Sequence, residues 1–356
     1  MTGLTIPFLG LSKQYGNLRQ EILDTTDQVL RSGNVIGGNY TAEFENWLAK
    51  KNNVKYAITV GSGTAALECI AEYNNRSYLK QNIAFVPSLT YIATANAFAR
   101  AGYYVKFIDV DKNGCSQVED IPELLEFNLV VGIGLFGAAL RPRWKEMSLN
   151  LVEDAAQHWL SNNCQRIGFA SAISFDPTKN LGNYGSGGAV LTNSYDLSFY
   201  AQNWRCNDRG NSGIVATNSQ MSEIDCAQLL VKTKYLNEWQ QRRRNIASYW
   251  IERFANSPIR PLIDKSNFST HSFHKFVIEV DNRDELKKQL AIRKIETKIH
   301  YSEPLWNQKP YLTTGSELFM SNSAVLSRRC LSLPMYPELT DLEVEYIIDQ
   351  VLDLVE

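Results

Sequence analysis

The sequence predicts an α/β protein with a mostly parallel sheet and a smaller C-terminal α+β domain. Short apolar runs alternate with helical patterns over most of the chain, which is typical of parallel strands buried between helices. The apolar runs end in polar or glycine-rich turns, and ligands of open α/β sheets bind at such strand ends. A chain of 356 residues is long enough for two domains. We place the boundary near Pro258 to Pro261, with a large domain over 1–255 and a small one over 256–356.

The spacing of apolar residues predicts the elements in order. After an extended segment over 4–11, we expect helices over 18–31, 44–50, 64–73, 91–99, 197–204, 222–236, 237–254, 284–290 and 340–355. We expect strands over 56–60, 83–87, 104–109, 130–136, 149–154, 171–175, 189–191, 273–280 and 296–299. Thr90 is a candidate cap for the helix that follows it. The basic run over 240–244 is expected to form a solvated helix face.

Composition excludes several classes of function. The net charge of −2 gives no bulk electrostatic reason to expect binding to nucleic acid or to an anionic membrane. We expect no transmembrane helix and no signal peptide, and therefore a cytoplasmic protein. Six scattered cysteines without a C-x-x-C pair favour reduced thiols over disulfides or a zinc site, and they are Cys69, Cys115, Cys164, Cys206, Cys226 and Cys330. The four histidines lack metal-ligand spacing, so we expect no metal.

A lysine lies in a turn between two apolar runs. The first run ends at Asp176-Pro177, Lys179 follows, and four glycines precede Ala189, where the second run begins. Proline fixes its own φ angle and glycine permits close backbone approach, so this turn would hold Lys179 in a defined place. A lysine held in this way suits Schiff-base chemistry with a carbonyl compound. The same stretch alone fits a glycine-rich hairpin with a solvated lysine equally well.

Two further strand ends carry groups that suit a ligand. Asp154 ends the run over 149–154, and a carboxylate buried there needs a cationic partner such as a protonated pyridine nitrogen. Gly61-Ser62-Gly63-Thr64 turns a strand into a helix, where free amides and the positive end of the helix dipole favour phosphate. Taken singly, Asp154 also fits a capping or surface carboxylate, and the glycine turn also fits an ordinary strand-to-helix connection.

In their order and spacing, these stretches resemble the DegT/DnrJ/EryC1/StrS family of sugar aminotransferases. The resemblance covers nearly the whole chain and also rests on the stretches 32–38, 44–45, 87–97, 153–157, 174–175, 177–181, 187–190, 218–219, 300–301 and 333–335, and on Met221 and Glu223. It implies the fold-type I architecture, with a seven-stranded sheet between helices. It also implies pyridoxal phosphate (PLP) as the cofactor, with pyridoxamine phosphate as an intermediate.

The resemblance implies roles for individual residues. Lys179 resembles the lysine that forms the Schiff base and later moves the proton, and Asp154 resembles the partner of the pyridinium nitrogen. The residues implied to contact the cofactor in addition are Ser62, Gly63, Thr64, Tyr91, Gln157, Ser174 and Asn218.

These contacts divide by the part of the cofactor they serve. Gly63, Thr64 and Ser174 resemble phosphate ligands. Tyr91 is similar to an aromatic residue that lies against the ring, and Gln157 to one near the phenolic oxygen. Asn218 resembles an asparagine that reaches the phosphate from the other subunit, which implies a homodimer with shared active sites.

The substrate pocket matches the family less closely. His300 and Tyr301, together with Gln220, are implied to bind the substrate. Many members have arginine in place of Gln220 and proline in place of Ser302, so the shape of this pocket is not carried over. The stretch 218–221 and the His300-Tyr301 pair are similar to the subgroup that acts on dTDP-linked 3-keto-6-deoxy sugars.

The implied activity moves an amino group from an amino acid, expected to be L-glutamate, to a nucleotide-linked keto-sugar. One alternative is a sugar dehydratase on the same fold, against which Lys179 argues because the family's dehydratases typically have histidine there. The other is a catalytically silent dimer that binds a sugar nucleotide. Intact Lys179 and Asp154 argue against that alternative.

Overall fold

The computed structural model describes residues 5–75, 82–117, 129–140, 150–161, 166–263, 265–312 and 320–355. The helices are α1 (Leu11–Ser32), α2 (Asn39–Lys51), α3 (Gly63–Asn75), α4 (Ala93–Arg100), α5 (Tyr195–Trp204), α6 (Glu223–Thr233), α7 (Leu236–Phe254), α8 (Arg283–Ile292), α9 (Ser321–Arg329) and α10 (Asp341–Asp353). The strands are β1 (Tyr56–Val60), β2 (Ile83–Pro87), β3 (Tyr104–Ile108), β4 (Leu129–Gly132), β5 (Asn150–Asp154), β6 (Ala170–Ser174), β7 (Gly188–Thr192), β8 (Arg260–Pro261), β9 (Phe276–Glu279) and β10 (Cys330–Leu333).

Seven of these strands form one sheet in the order β1-β7-β6-β5-β4-β2-β3. The pairs from β3 through β2, β4 and β5 to β6 are parallel, and β7 runs antiparallel to both of its neighbours, β6 and β1. All residues of β4, β6 and β7 are buried, as expected of strands covered by helices on both faces. The predicted mostly parallel, seven-stranded sheet is confirmed.

A second, antiparallel sheet of order β10-β9-β8 lies in the C-terminal part of the chain. Its apolar core joins residues of α7, such as Trp250, to Phe276 on β9, and their ring centroids lie 5.0 Å apart. Ile6 from the N-terminal segment is buried in the same core. The α+β character of this part is confirmed, and the boundary at residue 255 stays a prediction.

Several predicted elements differ in extent. Helix α1 begins at Leu11 rather than at residue 18, directly after Gly10. The strand predicted over 130–136 ends at Gly132, and Phe136 lies in a short 3-10 turn with a positive φ of 63°. The strand predicted over 296–299 is reduced to a single isolated bridge, between Lys298 and Ser332. The candidate cap Thr90 does not cap α4, whose N-cap residue makes no side-chain hydrogen bond.

The basic run over 240–244 is not a fully solvated helix face. Arg243 is 5% exposed, and its Nη1 donates to the carbonyl oxygens of Phe273 at 3.1 Å and Met335 at 2.7 Å. These main-chain acceptors compensate the loss of water around the guanidinium group. The predicted solvated face is therefore wrong for Arg243, which connects α7 to the C-terminal core.

The described residues can be compared with the predictions for membrane-spanning helices, metal sites and cysteines. No described helix is long and apolar enough to cross a membrane. Among the described side chains, no group of three or more His, Cys, Asp or Glu is arranged to hold a metal ion. The described cysteines are free thiols. Cys164, and the ends of two predicted segments at Leu4 and Leu149, lie outside the described residues.

Candidate active site

A cavity of about 400 Å³ lies where the parallel strands end. The turn after β1, the last residues of β5 and β6, and the turn after β6 all contribute to its lining. The cavity brings together ten of the residues predicted from sequence, which are Ser62, Gly63, Thr64, Tyr91, Asp154, Gln157, Ser174, Lys179, His300 and Tyr301. This location is the one that open α/β sheets use for ligands.

The turn between β1 and α3 presents free main-chain amides to the cavity. Ser62 Oγ accepts a hydrogen bond from the amide of Ala65 at 3.0 Å, and so caps the helix. No acceptor in the described part of the chain takes the amides of Gly63 and Thr64. A Cβ on Gly63 would lie 2.8 Å from Ser174 Cβ, so only glycine allows this close approach. Free amides at a helix N-terminus, with a serine hydroxyl beside them, favour a phosphate group.

Asp154 is held in a defined orientation at the end of β5. It is 8% exposed, and its Oδ2 accepts a hydrogen bond from Thr94 Oγ1 at 2.7 Å. Its Oδ1 accepts from the amide of Ala156 at 3.2 Å. Thr94 is not among the predicted site residues, although its position early in a helix that follows a strand end indicates this edge of the sheet. A carboxylate so enclosed favours a cationic group nearby.

The neighbouring carboxylate, Glu153, serves the framework instead. Successive residues of a strand face opposite sides, so Glu153 points away from Asp154. Its carboxylate accepts a hydrogen bond from the amide of Gly168 at 2.8 Å and lies 3.3 Å from Arg166 Nη1. Of the two acidic residues at this strand end, only Asp154 lines the cavity.

Lys179 is fixed by the turn that precedes it. Its amide donates to the carbonyl of Asp176 at 2.8 Å, and the side chain of Asp176 accepts two hydrogen bonds from Thr178, at 2.9 and 2.6 Å. Burial lowers the pKa of Lys179, and the negative charges of Asp154 and Asp176 oppose this shift. A lowered pKa increases the fraction of neutral amine, which is the form that attacks a carbonyl carbon.

Gln157 and two tyrosines form another part of the lining. Gln157 Oε1 accepts from the amide of Phe136 at 2.8 Å, and its Nε2 donates to the hydroxyl of Tyr301 at 3.1 Å. Burial raises the pKa of Tyr301, so this hydroxyl stays protonated near neutral pH. Tyr91 is 60% exposed, and its ring centroid lies 6.4 Å from that of Tyr301. The side-chain oxygen and nitrogen of Gln157 thus both form hydrogen bonds within the protein.

Two of the predicted residues, Asn218 and Gln220, do not line the cavity of their own chain. Asn218 is exposed and forms a bridge with Cys206. Ser219 lies between Asn218 and Gln220. It accepts hydrogen bonds from the amide of Gly61, at 2.9 Å through its carbonyl oxygen and at 3.1 Å through its hydroxyl oxygen. This segment therefore contacts the start of the glycine turn without reaching into the cavity.

The wall opposite the strand ends contains residues that sequence analysis missed. Phe8, His274, Lys275 and Lys298 line the cavity there, together with the predicted His300. His300 Nδ1 lies 2.8 Å from Ser332 Oγ. Burial, followed by the positive charges of Lys275 and Lys298, lowers the pKa of His300 to about 2. The sequence contained one indication of this wall, because Lys275 is a charged residue within the largely apolar run over 273–280.

The described residues fit PLP in three independent respects. Free amides at Gly63 and Thr64 suit its phosphate, the enclosed carboxylate of Asp154 suits its ring nitrogen, and the amine of Lys179 suits its carbonyl. All four residues line one cavity.

The chain is similar to known proteins along its whole length. Residues 17–352 match the model of the DegT/DnrJ/EryC1/StrS aminotransferase family. A "pleiotropic regulatory protein" of Geobacillus stearothermophilus is 29% identical over 98% of this chain and 98% of its own. A dTDP-3-amino-3,6-dideoxy-α-D-galactopyranose transaminase of Aneurinibacillus thermoaerophilus is 31% identical over 97% of this chain and 98% of its own. The solved structure of S. venezuelae DesV with a ketimine intermediate superposes with a TM-score of 0.90, at 27% identity and 99% coverage of both chains.

Proposed function

The chain belongs to the DegT/DnrJ/EryC1/StrS aminotransferase family, and on this premise we propose that it transfers an amino group from L-glutamate to a dTDP-linked 3-keto-6-deoxyhexose. The enzyme is a PLP-dependent aminotransferase. When bound, PLP supplies a carbonyl that carries the amino group between two substrates and a ring that accepts electrons from the substrate carbon. The observation that carries the proposal is the placement of Lys179 and Asp154 around one cavity with the free amides of α3.

The residues of the strand ends hold and orient the cofactor. Gly63 and Thr64 would bind its phosphate through their amides, and Ser174 would do so through its hydroxyl. Asp154, oriented by Thr94, would keep the ring nitrogen protonated, because a carboxylate favours the charged form of a base beside it.

Other residues complete the cofactor site. Tyr91 would contact the ring of bound PLP, and Gln157 would hydrogen-bond near its phenolic oxygen. Ser62 supports the phosphate turn by capping α3.

Lys179 moves the proton in both half-reactions. Its Nζ takes the proton from the α-carbon of the amino acid. In the second half-reaction it gives a proton to the sugar carbon that receives the amine. The lowered pKa of Lys179 suits this role, since a general base works best when its pKa lies near the operating pH.

The relative from A. thermoaerophilus supports the choice of sugar. Its named product carries an amine at C3, lacks the hydroxyl at C6 and is linked to dTDP. We assign His300 and Tyr301 to the sugar side of the site. Gln220 does not line the cavity of its own chain, and we assign it to the sugar side of a second copy's site. The hydroxyl of Tyr301 already has a fixed position through Gln157 and stays protonated, so it can donate a hydrogen bond to the substrate.

We further propose a cytoplasmic homodimer in which Asn218 of one copy completes the phosphate site of the other. The exposed side chain of Asn218, which does not reach its own cavity, supports this arrangement. Light scattering after size-exclusion chromatography measures the mass. A monomer of unchanged activity would contradict the shared site.

The experiment supplies PLP-loaded enzyme and L-glutamate with matched dTDP-linked 3-keto and 4-keto 6-deoxyhexoses. We expect the amino sugar to form from the 3-keto substrate, and L-glutamate to bleach the visible band of the enzyme where L-alanine does so weakly. Turnover of only the 4-keto substrate would move the assignment to C4. Absence of any spectral change with every amino acid would remove the aminotransferase half-reaction itself.

A further inference from the structure

Lys275 is a nearly buried cation for which the described part of the chain offers no hydrogen-bond acceptor and no ion-pair partner. Its side chain is 6% exposed, and it lines the cavity beside the predicted active site. No described residue accepts a hydrogen bond from its Nζ or forms an ion pair with it. The main chain is fixed, because the amide of Lys275 donates to the carbonyl of Phe136 at 3.0 Å. A buried ammonium group without acceptors is costly, so an unpaired one that opens to a cavity indicates a missing anion.

The surroundings of Lys275 are strongly positive. Its Nζ lies 5.3 Å from the ring centroid of Phe8, and the Nζ of Lys298 lies 5.2 Å from the same ring. Burial, followed by the positive charges of Lys179, Arg243 and Lys298, lowers the pKa of Lys275 to about 7. An aromatic ring attracts cations only weakly, and it cannot replace the water that the ammonium has lost. The two histidines on this wall are neutral near pH 7, since burial lowers the pKa of both.

We propose that Lys275 binds the α-carboxylate of the amino donor, and so acts as a residue that determines donor binding. The inference rests on the proposed function and deepens it. The α-carboxylate is attached to the same carbon as the amine that must approach Lys179, so it has to lie close to that lysine. Lys275 meets this requirement because it lines the same cavity as Lys179. The diphosphate of a sugar nucleotide is separated from the keto carbon by several bonds. When the keto carbon is at Lys179, the diphosphate therefore lies farther from that lysine than an α-carboxylate does, and it fits the position of Lys275 less well.

The test measures binding of two non-reacting probes to the PLP-loaded enzyme by calorimetry. Glutarate has the carbon chain and carboxylates of the donor without its amine, and dTDP represents the nucleotide. Lys275→Met keeps the length of the side chain and removes its charge, while Lys275→Arg keeps the charge. Lys106→Met is the matched control, since Lys106 also lies over a phenylalanine ring, that of Phe85 at 5.9 Å, but does not line the cavity.

We expect Lys275→Met to weaken glutarate binding by roughly tenfold or more, the usual effect of losing a charge-assisted contact. Binding of dTDP should change by less than about twofold, which also shows that the variant is folded. Lys275→Arg should restore most of the affinity for glutarate, and Lys106→Met should match the wild type. The KM for L-glutamate should rise in Lys275→Met while the KM for the keto-sugar stays the same.

Two results would overturn the inference. Glutarate binding that is equal in wild type and Lys275→Met would show that the lysine does not contact the donor. Loss of dTDP binding with retained glutarate binding would assign Lys275 to the diphosphate instead. Failure of the proposed function is separate, because it appears in the wild type as an absence of any spectral change with L-glutamate.

Discussion

Two buried lysines in different regions show how this fold treats a charge that it has removed from water. Lys232 on α6 is fully buried, its Nζ donates to the carbonyl of Gly182 at 2.5 Å, and it lies 3.6 Å from the ring centroid of Tyr184. Lys275 is almost as buried, but no described group accepts a hydrogen bond from it. Burial is the main cause that lowers the pKa of each lysine to about 7.

The difference lies in where each ammonium finds its partner. Lys232 uses an acceptor in the turn that follows Lys179, so its charge contributes to the framework that holds the reactive lysine. Lys275 faces the cavity and depends on something that enters it. Equal burial and similar pKa values therefore do not distinguish a structural lysine from one that binds a ligand, whereas the hydrogen-bond partners do.

The largest effect on activity should come from a third lysine, Lys179. Lys232 stabilises the turn that follows it, and Lys275 lines the same cavity. Lys179→Ala should reduce amino transfer by roughly a thousandfold or more, because it removes both the carbonyl-binding amine and the proton carrier. The measurement is the rate of amino-sugar formation at saturating PLP, together with the visible spectrum. Lys106→Met should behave as the wild type. Substantial turnover by Lys179→Ala would contradict the role assigned to this residue.

A smaller effect separates the two buried lysines directly. Lys232→Met should lower the free energy of unfolding by about 1–3 kcal/mol, because the carbonyl of Gly182 loses its donor. Lys275→Met should leave this free energy unchanged or raise it. The reason is that Lys275→Met deprives no described acceptor of its donor and removes a buried charge that has no such acceptor.

Urea unfolding of the apo-protein at pH 7 and fixed protein concentration provides the comparison between the two variants. Equal m-values would show that the same transition is measured in each. If Lys275→Met lost as much stability as Lys232→Met, the distinction between a framework lysine and a ligand-binding lysine would be wrong.

The smallest effect is a pH dependence of glutarate binding, which we expect from Lys275 and not from Lys232. Glutarate affinity should be highest below pH 7 and fall several-fold as the pH rises above the pKa of Lys275, which is about 7. The charged and titratable groups that act on Lys275 are Lys179, Asp176, Arg243, Lys298, His274 and His300. Both histidines have lowered pKa values and stay neutral throughout this range.

Calorimetry at several pH values between 6 and 9 would measure this dependence. Lys275→Arg should extend the high affinity to higher pH, since arginine stays protonated. In Lys275→Met the dependence should be much weaker. A dependence of the same size in Lys275→Met would assign the titration to Lys179 instead.

The sequence by itself determined the fold class, the strand ends that form the site and the residues that follow them. Taken singly, Lys179, Asp154 and the Gly63 turn each also fitted a purely structural role, and their order and spacing along the chain, which resemble the family, identified them. An apolar run followed by proline, glycine or a carboxylate states where a strand ends, and the ends of parallel strands meet at one edge. The assignment of Glu153 to the framework follows from the alternation of side chains along β5, once the strand is placed.

Only the tertiary structure decided which charges are satisfied. Thr94 orients Asp154 from another strand-helix unit, Phe8 comes from the N-terminal segment, and Lys275 comes from the approach to the second sheet. Arg243 lies in a run that predicted a solvated surface, yet two main-chain carbonyls enclose it. Burial and hydrogen-bond partners are properties of contacts between distant segments. The spacing of residues along the chain specifies the periodicity of each element, but not which groups another element brings against it.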